Sequence, residues 1–296
     1  MANTSWVGVV GASSLVGDRL LRLLSASNRQ ILAFSRHHRV DDGSPNVSWL
    51  KLDGECLRDP EVKSSVVDDW VYVAPIWTIA HHFSLFEEFR ARRIVAISSS
   101  SRFSKAVQQK FADPKENLIA TKIAEAEEQF QAWAVGQNID WVILRPTLIY
   151  GYGQDKNISE IARFVRRFRF FPLFGEALGL RQPIHADDVA LAAMTALDCK
   201  KTIGKSFNVC GGETITYLEM VSRVFAAAAL PERFVRMPLV VFRLAISLLR
   251  IFPRFRYWNA MMAARMNENL VFDCSDSVRE LGLRPKKFCI TKADLP

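Results

Sequence analysis

The stretch that decides the fold reads Ser5-Trp6-Val7-Gly8-Val9-Val10-Gly11-Ala12-Ser13-Ser14-Leu15-Val16-Gly17-Asp18. Its first half is short, rich in β-branched residues and free of charge, which is typical of a strand buried on both faces of a parallel sheet. Leucines at helical spacing follow Gly17, so the order is strand, tight turn and helix. The first N–H groups of such a helix lie at the positive end of its dipole, and the turn therefore predicts a pyrophosphate site.

The turn has the spacing of a dinucleotide-binding glycine triplet, with serine in place of the middle glycine. Gly11 is expected to adopt a conformation that a side chain would forbid, and Gly17 to let the helix approach the strand closely. A nucleotide-triphosphate loop requires Gly-Lys-Ser/Thr, whereas Asp18 and Arg19 follow Gly17 here. An ordinary strand-to-helix turn is the alternative. The predicted cofactor residues in the turn are Gly11, Ser13, Ser14, Leu15, Val16 and Gly17.

A second apolar strand, Ile31 to Phe34, ends in Ser35 and Arg36. At this position an acidic side chain usually holds the ribose 2′-hydroxyl of NAD, whereas an arginine accommodates the 2′-phosphate of NADP. Ser35 and Arg36 therefore favour NADP(H). A solvated basic turn is the alternative interpretation.

Three further apolar runs end in residues that suit a ligand-binding edge. The third strand ends at Asp53, the fourth leads into Val73-Ala74-Pro75, and the fifth, Ile94 to Ile97, runs into four serines, Ser98 to Ser101. Ligands of doubly wound sheets bind at the carboxyl ends of the strands. The sequence thus predicts an α/β protein with a Rossmann-like, doubly wound parallel sheet.

Several polar residues of the second half are predicted to have structural roles. His185, Asp187 and Asp188 precede an apolar helix and are expected to cap and anchor it. Thr216 and Glu219 fit a capping box at the start of a later helix.

Composition indicates a globular protein with one large or two modest domains, since 49% of the 296 residues are hydrophobic. No secretory signal is apparent at the N-terminus, and we expect a cytoplasmic location. The cysteines lack the spacing of a metal site, and no metal site is predicted. The five cysteines, expected to be reduced packing residues, are Cys56, Cys199, Cys210, Cys274 and Cys289.

The formal net charge is +8, and many arginines lie in the second half. No nucleic-acid-binding motif accompanies this charge, which favours a phosphorylated small molecule or an anionic membrane surface as partner. The segment Pro238 to Trp258 is apolar with interspersed arginines and is too short and too charged to span a bilayer. It predicts a packing helix of the smaller domain or a homodimer surface, with a peripheral membrane helix as the alternative hypothesis.

The chain resembles an atypical extended member of the short-chain dehydrogenase/reductase family, in the branch of NAD(P)-dependent nucleotide-sugar epimerases, dehydratases and reductases. The resemblance implies a Rossmann domain over residues 1–150 with returning segments near 183–210. It also implies a smaller, mainly helical substrate-binding part made of residues 151–182 and 211–296. The matching residues are the glycine turn, Asp53, Val73-Ala74, the serine cluster, Lys122, Leu144-Arg145-Pro146 through Tyr150-Gly151, and Arg181 to Val189.

The resemblance implies roles for individual residues. Ser100 would bind the reacting oxygen of the substrate, and Lys122 would hold the cofactor ribose. The family's proton-carrying tyrosine, four residues before the lysine, falls on Leu118, which has no proton to give. Further cofactor contacts are implied for Asp53, Val73, Ala74, Pro75, Ser98, Ser99 and Pro146, and substrate contacts for Arg181, Tyr150 and Arg265.

Two functions are compatible with these residues. The favoured one is an NADP(H)-dependent oxidoreductase, epimerase or dehydratase acting on a nucleoside-diphosphate sugar or a related phosphorylated substrate, with Arg181 holding the diphosphate. The other is a catalytically silent NAD(P)H-binding sensor or scaffold, supported by Leu118. The weak candidates to replace the missing phenol are Tyr150, Tyr152, Lys105, Asp113, His81 and His82.

Overall fold

The computed structural model of the chain describes residues 6–36, 44–52, 67–103, 114–237 and 265–296. The predictions for Asp53, Cys56, Lys105, Asp113 and Pro238–Trp258 concern residues outside these ranges. No helix among the described residues is both long enough and apolar enough to cross a membrane.

Elements are numbered in chain order within the described ranges. The strands are β1 (Trp6–Val10), β2 (Gln30–Ser35), β3 (Val47–Lys51), β4 (Asp69–Tyr72), β5 (Arg93–Ile97), β6 (Asp140–Pro146), β7 (Ile149–Tyr150), β8 (Phe171–Phe174), β9 (Leu180–Arg181), β10 (Ile184–His185), β11 (Lys205–Val209), β12 (Ile215–Thr216) and β13 (Phe234–Met237). The α-helices are α1 (Leu15–Ala26), α2 (Phe83–Glu88), α3 (Pro114–Gly136), α4 (Ile158–Phe168), α5 (Ala186–Asp198), α6 (Tyr217–Ala227) and α7 (Ser275–Leu281). Short 3-10 helices span Ile76–His82, Ser100–Phe103, Lys200–Thr202 and Lys292–Asp294.

Within the described residues, seven strands form one parallel sheet in the order β11-β6-β5-β4-β1-β2-β3. Val10 at the end of β1 aligns with Phe34 of β2 on one side and with Tyr72 of β4 on the other. The strand order reverses at β1, which places a crevice at the carboxyl ends of the neighbouring strands. The predicted Rossmann-like, doubly wound sheet is confirmed.

The sheet is covered on both faces, as the apolar runs within its strands predict. On one face, α1 and α5 pack together and bury Leu20 and Val189 against Val9 of β1. On the other face, α2 and α3 cover a more aromatic layer. The large buried side chains of that layer include Phe34, Trp70, Tyr72, Phe86, Phe89 and Phe130.

A third apolar cluster lies in the chain that follows β6. It joins α4 to α6 through Val165, Val221 and Phe225, and it includes Phe288 from the C-terminal segment. The parallel pair β8 and β13 and the antiparallel pair β9 and β12 belong to this region. Its core is separate from the two layers on the main sheet.

The structure confirms the predicted caps. His185 is the N-cap of α5, and its Nδ1 accepts the N–H of Asp187 at 3.2 Å. Asp188 accepts the N–H of Lys286 at 2.9 Å, which anchors α5 to the C-terminal segment. Thr216 accepts the N–H of Glu219 at 3.0 Å.

The chain between β4 and β5 is helical in two pieces, the 3-10 helix Ile76–His82 and the short helix α2. Arg90 adopts a left-handed conformation with φ 55°, which ends α2 and turns the chain into β5.

Candidate functional site

The two glycines of the first turn allow approaches that no side chain would permit. Gly11 has φ 84°, and a Cβ built on it would lie 2.6 Å from the backbone nitrogen of Ala74. A Cβ on Gly17 would lie 2.4 Å from the carbonyl oxygen of Gly11. The turn and helix can therefore pack in this way only with glycine at both positions. This confirms the predicted roles of both residues.

The first turn of α1 forms a cradle for an anion. Ser14 Oγ accepts the N–H of Gly17 at 3.1 Å and so caps the helix. The N–H groups of Leu15 and Val16 come too early in the helix to reach a carbonyl of its own. Ser14, Leu15 and Val16 all line one large cavity. Free N–H groups at the positive end of a helix suit the paired phosphates of a dinucleotide.

That cavity has a volume of about 570 Å³ and lies along the carboxyl ends of the strands. It brings half of the predicted cofactor residues together with Arg181 and Arg265, two of the predicted substrate residues. The lining residues are Ser14–Val16, Val73–Trp77, Ile97–Ser101, Ile123, Thr147–Ile149, Gln154–Asn157, Arg181, Gln182, Arg265, Leu270 and Phe272.

The remaining predicted cofactor residues lie at the same edge of the sheet. Ser35 is buried at the end of β2, and its hydroxyl bonds that of Ser13 at 3.3 Å. Arg36 is exposed directly after Ser35. Pro146 ends β6 and precedes Thr147, which lines the cavity.

Helix α3 presents Ile123 to the cavity, whereas Lys122 is exposed and is not among the lining residues. Adjacent side chains of a helix point about 100° apart, which explains the difference. Ile119 precedes Ile123 by four residues and shares its face of the helix. Ile123 is therefore the side chain of this face that lines the cavity, and the role of Lys122 at the cofactor stays a prediction.

A buried carboxylate, missed by the sequence analysis, organises the serine segment. Glu127 of α3 has no exposed surface. It accepts the hydroxyl of Ser98 at 2.5 Å, Nε and Nη2 of Arg145 at 3.0 and 2.7 Å, and Nη1 of Arg102 at 2.9 Å. These contacts fix Ser98 and the 3-10 helix that begins at Ser100. We call Glu127, Ser98, Arg102 and Arg145 the Glu127 cluster.

A sequence signal for Glu127 did exist. Ala120, Ile123, Glu127 and Phe130 follow one another at spacings of three or four, which is the pattern of a buried helix face. A carboxylate within such a stripe needs cationic partners when it is buried. Arg145, which stands between apolar residues at the end of β6, supplies one.

Arg181 is buried in the cavity wall, with 3% of its surface exposed. It donates to the carbonyls of Leu180 at 2.7 Å and Glu268 at 2.6 Å, and also to the carbonyl of Arg265. Burial lowers the pKa of Arg181 to about 10. The guanidinium thus ties residues 265–268 to the cavity wall, and a ligand diphosphate would have to share it with these carbonyls.

Tyr150 does not lie where a substrate contact requires it. Its side chain is 2% exposed and packs edge-on against His185 and Phe288, with ring centroids 5.1 and 4.8 Å apart. Burial raises the pKa of Tyr150. Tyr150 is not among the cavity-lining residues, and a large aromatic side chain contributes more in this core.

Two other candidates for the missing proton carrier have partners of their own. The Tyr152 hydroxyl donates to the carboxylate of Asp187 at 3.0 Å, and Arg19 lies 4.3 Å above its ring. Burial raises the pKa of Tyr152 and lowers that of His82. His82 Nδ1 lies 3.1 Å from the hydroxyl of Tyr72. Neither side chain is a lining residue of the cavity.

The expectation that all cysteines are reduced is wrong. Cys210, after β11, and Cys274, before α7, form a disulfide with a Cα–Cα distance of 6.0 Å. The two cysteines are 64 residues apart, so their spacing gave no sign of pairing. Cys199 and Cys289 are free. The disulfide fixes the chain next to Phe272, a lining residue of the cavity.

The strand order, the glycine turn and the cavity along the carboxyl edge define a protein with a Rossmann-like, doubly wound fold and a ligand site at the edge of its sheet. Residues 65–210 match the sequence model of the NAD dependent epimerase/dehydratase family. These residues, just under half of the chain, are therefore similar to a domain of this family. Family members are epimerases, dehydratases or reductases and bind a nicotinamide cofactor.

Individual relatives are distant. UDP-glucose 4-epimerase of Vibrio cholerae is 25% identical over 162 residues, which cover 55% of this chain and 47% of the epimerase. The crystal structure of Thermotoga maritima UDP-glucose 4-epimerase with UDP-glucose superposes with a TM-score of 0.68 at 13% identity, covering 95% of this chain and 93% of that one. Bacillus anthracis dTDP-glucose 4,6-dehydratase in complex with NAD gives 0.67 at 14% identity, covering 98% and 94%.

Proposed function

We propose that the protein is an NADP(H)-dependent oxidoreductase of the epimerase, dehydratase or reductase kind, and that its substrate is a nucleoside-diphosphate sugar or a related phosphorylated molecule. The observation that carries the proposal is the continuity of the cavity. One space of about 570 Å³ runs from the cradle at Ser14–Val16 past Ser98–Ser101 to Arg181 and Arg265. A dinucleotide and a second, anionic ligand can meet there.

The residues around the cradle fit a nicotinamide dinucleotide. The first turn of α1 offers N–H groups to the pyrophosphate. A Cβ at Gly11 or Gly17 would clash with the backbone atoms packed against this turn. Arg36 supports the preference for NADP(H), since it lies exposed beyond β2, where a 2′-phosphate would be bound. The bound cofactor would accept or supply a hydride, and Ser100 would orient the reacting oxygen of the substrate.

Cationic side chains support a phosphorylated substrate. Arg181, Arg265 and Lys156 all belong to the cavity wall. Guanidinium and ammonium groups in a partly enclosed site favour phosphate oxygens over neutral ligands. Similar folds with UDP-glucose or with NAD bound make a nucleotide sugar the first substrate class to test.

The proposal is tested by mixing the protein with NADPH or NADP⁺ and a panel of nucleotide sugars. Nicotinamide absorbance reports net reduction or oxidation, and chromatography of the sugars reports epimerisation or dehydration, which return the cofactor to its starting oxidation state. We expect turnover with at least one sugar, lowered at least tenfold by Ser100→Ala. Ser84→Ala, on exposed α2, is the matched control and should change nothing. Lack of turnover on the whole panel, in both reaction directions, would contradict the enzymatic assignment.

A second candidate function, a catalytically silent dinucleotide sensor or scaffold, is favoured by one observation. Leu118 stands at the tyrosine position, four residues before Lys122, and Ile123 is the side chain of α3 that lines the cavity, so neither can carry a proton. The substitution Leu118→Tyr, at an exposed position, would restore a phenol four residues before Lys122. Dinucleotide binding without turnover, before and after this change, would select the silent function.

A further inference from the structure

The surface at the end of α4 carries exposed positive charge. Arg166, Arg167 and Arg169 are exposed, as is Arg233 at the start of β13. Arg166 donates to the carbonyl of Pro296. Among the residues that the structure describes, Arg167, Arg169 and Arg233 have no acidic partner, so three guanidinium groups are available to an external anion.

Phenylalanine rings lie among these arginines. Phe168 has 41% of its surface exposed, and Phe164 and Phe170 are half-buried beside it. The ring centroids of Phe164 and Phe168 are 4.6 Å apart, and those of Phe164 and Phe170 are 5.7 Å apart. The three rings therefore form one apolar cluster that reaches the surface.

Strand β13 extends the apolar surface. The N–H of Phe171 donates to the carbonyl of Arg233 at 2.8 Å, which places β13 beside the phenylalanine cluster. Val235 has 43% of its surface exposed and shares a strand face with Arg233, because side chains alternate along a strand. We call Phe164, Arg167, Phe168, Arg169, Phe170, Arg233 and Val235 the Phe–Arg patch.

The acidic side chains near the patch have ion-pair or hydrogen-bond partners. Arg163 pairs with Glu160 at 2.6 Å, and Arg236 pairs with Glu176 at 3.3 Å. Glu232 accepts the hydroxyl of Ser222 at 3.1 Å and keeps its negative charge, which the three arginines of the patch exceed. The net charge of the patch itself is therefore positive.

Arg169 ends α4 in a backbone conformation that favours glycine. It follows α4 as the C-cap in the left-handed conformation, with φ 63°, and its N–H donates to the carbonyl of Val165 at 2.9 Å. Glycine adopts this conformation without cost, whereas a side chain is disfavoured there. The local structure would thus be at least as stable with glycine, and the arginine adds charge at the centre of the patch.

We propose that the Phe–Arg patch docks the protein onto an anionic lipid bilayer. The guanidinium groups would bind headgroup phosphates, and Phe168 and Val235 would insert at the boundary with the acyl chains. The aliphatic Val235 and the mutually packed rings favour lipid over nucleic acid, whose bases would need ring faces free for stacking. This inference goes beyond the proposed function and does not depend on it.

Flotation of the full chain with vesicles tests the proposal. We expect the protein to float with mixed vesicles of phosphatidylglycerol and phosphatidylcholine, and not with phosphatidylcholine alone. Arg169→Gly should lower the bound fraction about fivefold, because one arginine near an anionic surface is lost. Phe168→Ser should lower it about tenfold.

Arg90→Gly is the matched control. Arg90 is also an exposed arginine in the left-handed conformation, with φ 55°, but it follows α2 outside the patch. The substitution Arg90→Gly changes the net charge by the same amount as Arg169→Gly and should leave flotation unaltered. Equal losses for Arg90→Gly and Arg169→Gly, unaltered flotation of both patch variants, or binding to single-stranded nucleic acid without any binding to vesicles would overturn the proposal.

Discussion

Glu127 is the residue on which the geometry of the serine segment depends most. Its carboxylate has no exposed surface and joins three separate parts of the chain, through Ser98, Arg102 and Arg145. Removing one partner of a buried ion pair leaves an uncompensated charge in the interior, so each arginine is needed to stabilise the buried carboxylate. The Glu127 cluster therefore links α3 to the ends of β5 and β6, where the cavity begins.

Removal of the Glu127 carboxylate should be strongly destabilising. We expect Glu127→Ala to lower the free energy of unfolding in urea by about 3 to 5 kcal/mol, since two arginines lose their buried partner. Glu128→Ala is the control, because Glu128 also pairs with Arg102 but is 67% exposed. Its loss should cost at most about 1 kcal/mol. Equal effects of the two substitutions would refute the importance of burial.

At the scale of elements, α1 and α5 are joined at the ends that lie near the cavity. Nε of Arg19 donates to Asp187 at 2.7 Å, and Tyr152 and His185 also contact this carboxylate. Burial opposes the charge of Asp187, but the hydrogen bond from Arg19 and the charge of His185 outweigh it and lower the pKa. The helix that forms the phosphate cradle is thus fixed electrostatically to its neighbour.

This contact predicts a dependence of stability on pH. A carboxyl whose pKa is lowered by folding stabilises the protein fully above its ordinary value of 3.8, and the contribution is lost as pH falls through the lower, folded-state value. We expect Asp187→Asn to lower the free energy of unfolding by about 2 kcal/mol at pH 7 and by progressively less below pH 3.8.

Asp276→Asn provides the comparison, since Asp276 forms an exposed pair with Arg279. Urea unfolding of both variants across this pH range gives the measurement. An effect of Asp187→Asn that is as large at acidic as at neutral pH would contradict the role of its charge.

For the whole molecule, the disulfide is the covalent link whose contribution to stability can be tested. It joins residues 64 positions apart and holds the C-terminal segment beside the cavity. Closing a loop of this length restricts the unfolded chain, and we expect reduction to lower the free energy of unfolding by about 2 to 4 kcal/mol. Cys274→Ser should abolish the effect of reductant, whereas Cys289→Ser, at an exposed free cysteine, should preserve it. Stability that is insensitive to reductant would argue against this bond.

The features that the sequence predicts correctly are those that depend on short stretches of the chain. The glycine turn and the strand bounds near Ile31–Phe34 and Ile94–Ile97 follow from short-range patterns and are confirmed. The disulfide and the Glu127 cluster depend on contacts between distant parts of the chain. The role of Lys122 stays a prediction: its side chain is exposed beside Ile123, and adjacent side chains of a helix point about 100° apart.

The central claim is that the start of α1 binds the pyrophosphate of a nicotinamide dinucleotide and that Arg36 selects NADP(H). Titration calorimetry of the wild type with NADPH and NADH tests it most directly. The account predicts that NADPH binds at least about tenfold more tightly than NADH, and that Arg36→Ala removes most of the difference. Absence of measurable heat with both dinucleotides would contradict the claim, and equal affinities would remove the role of Arg36.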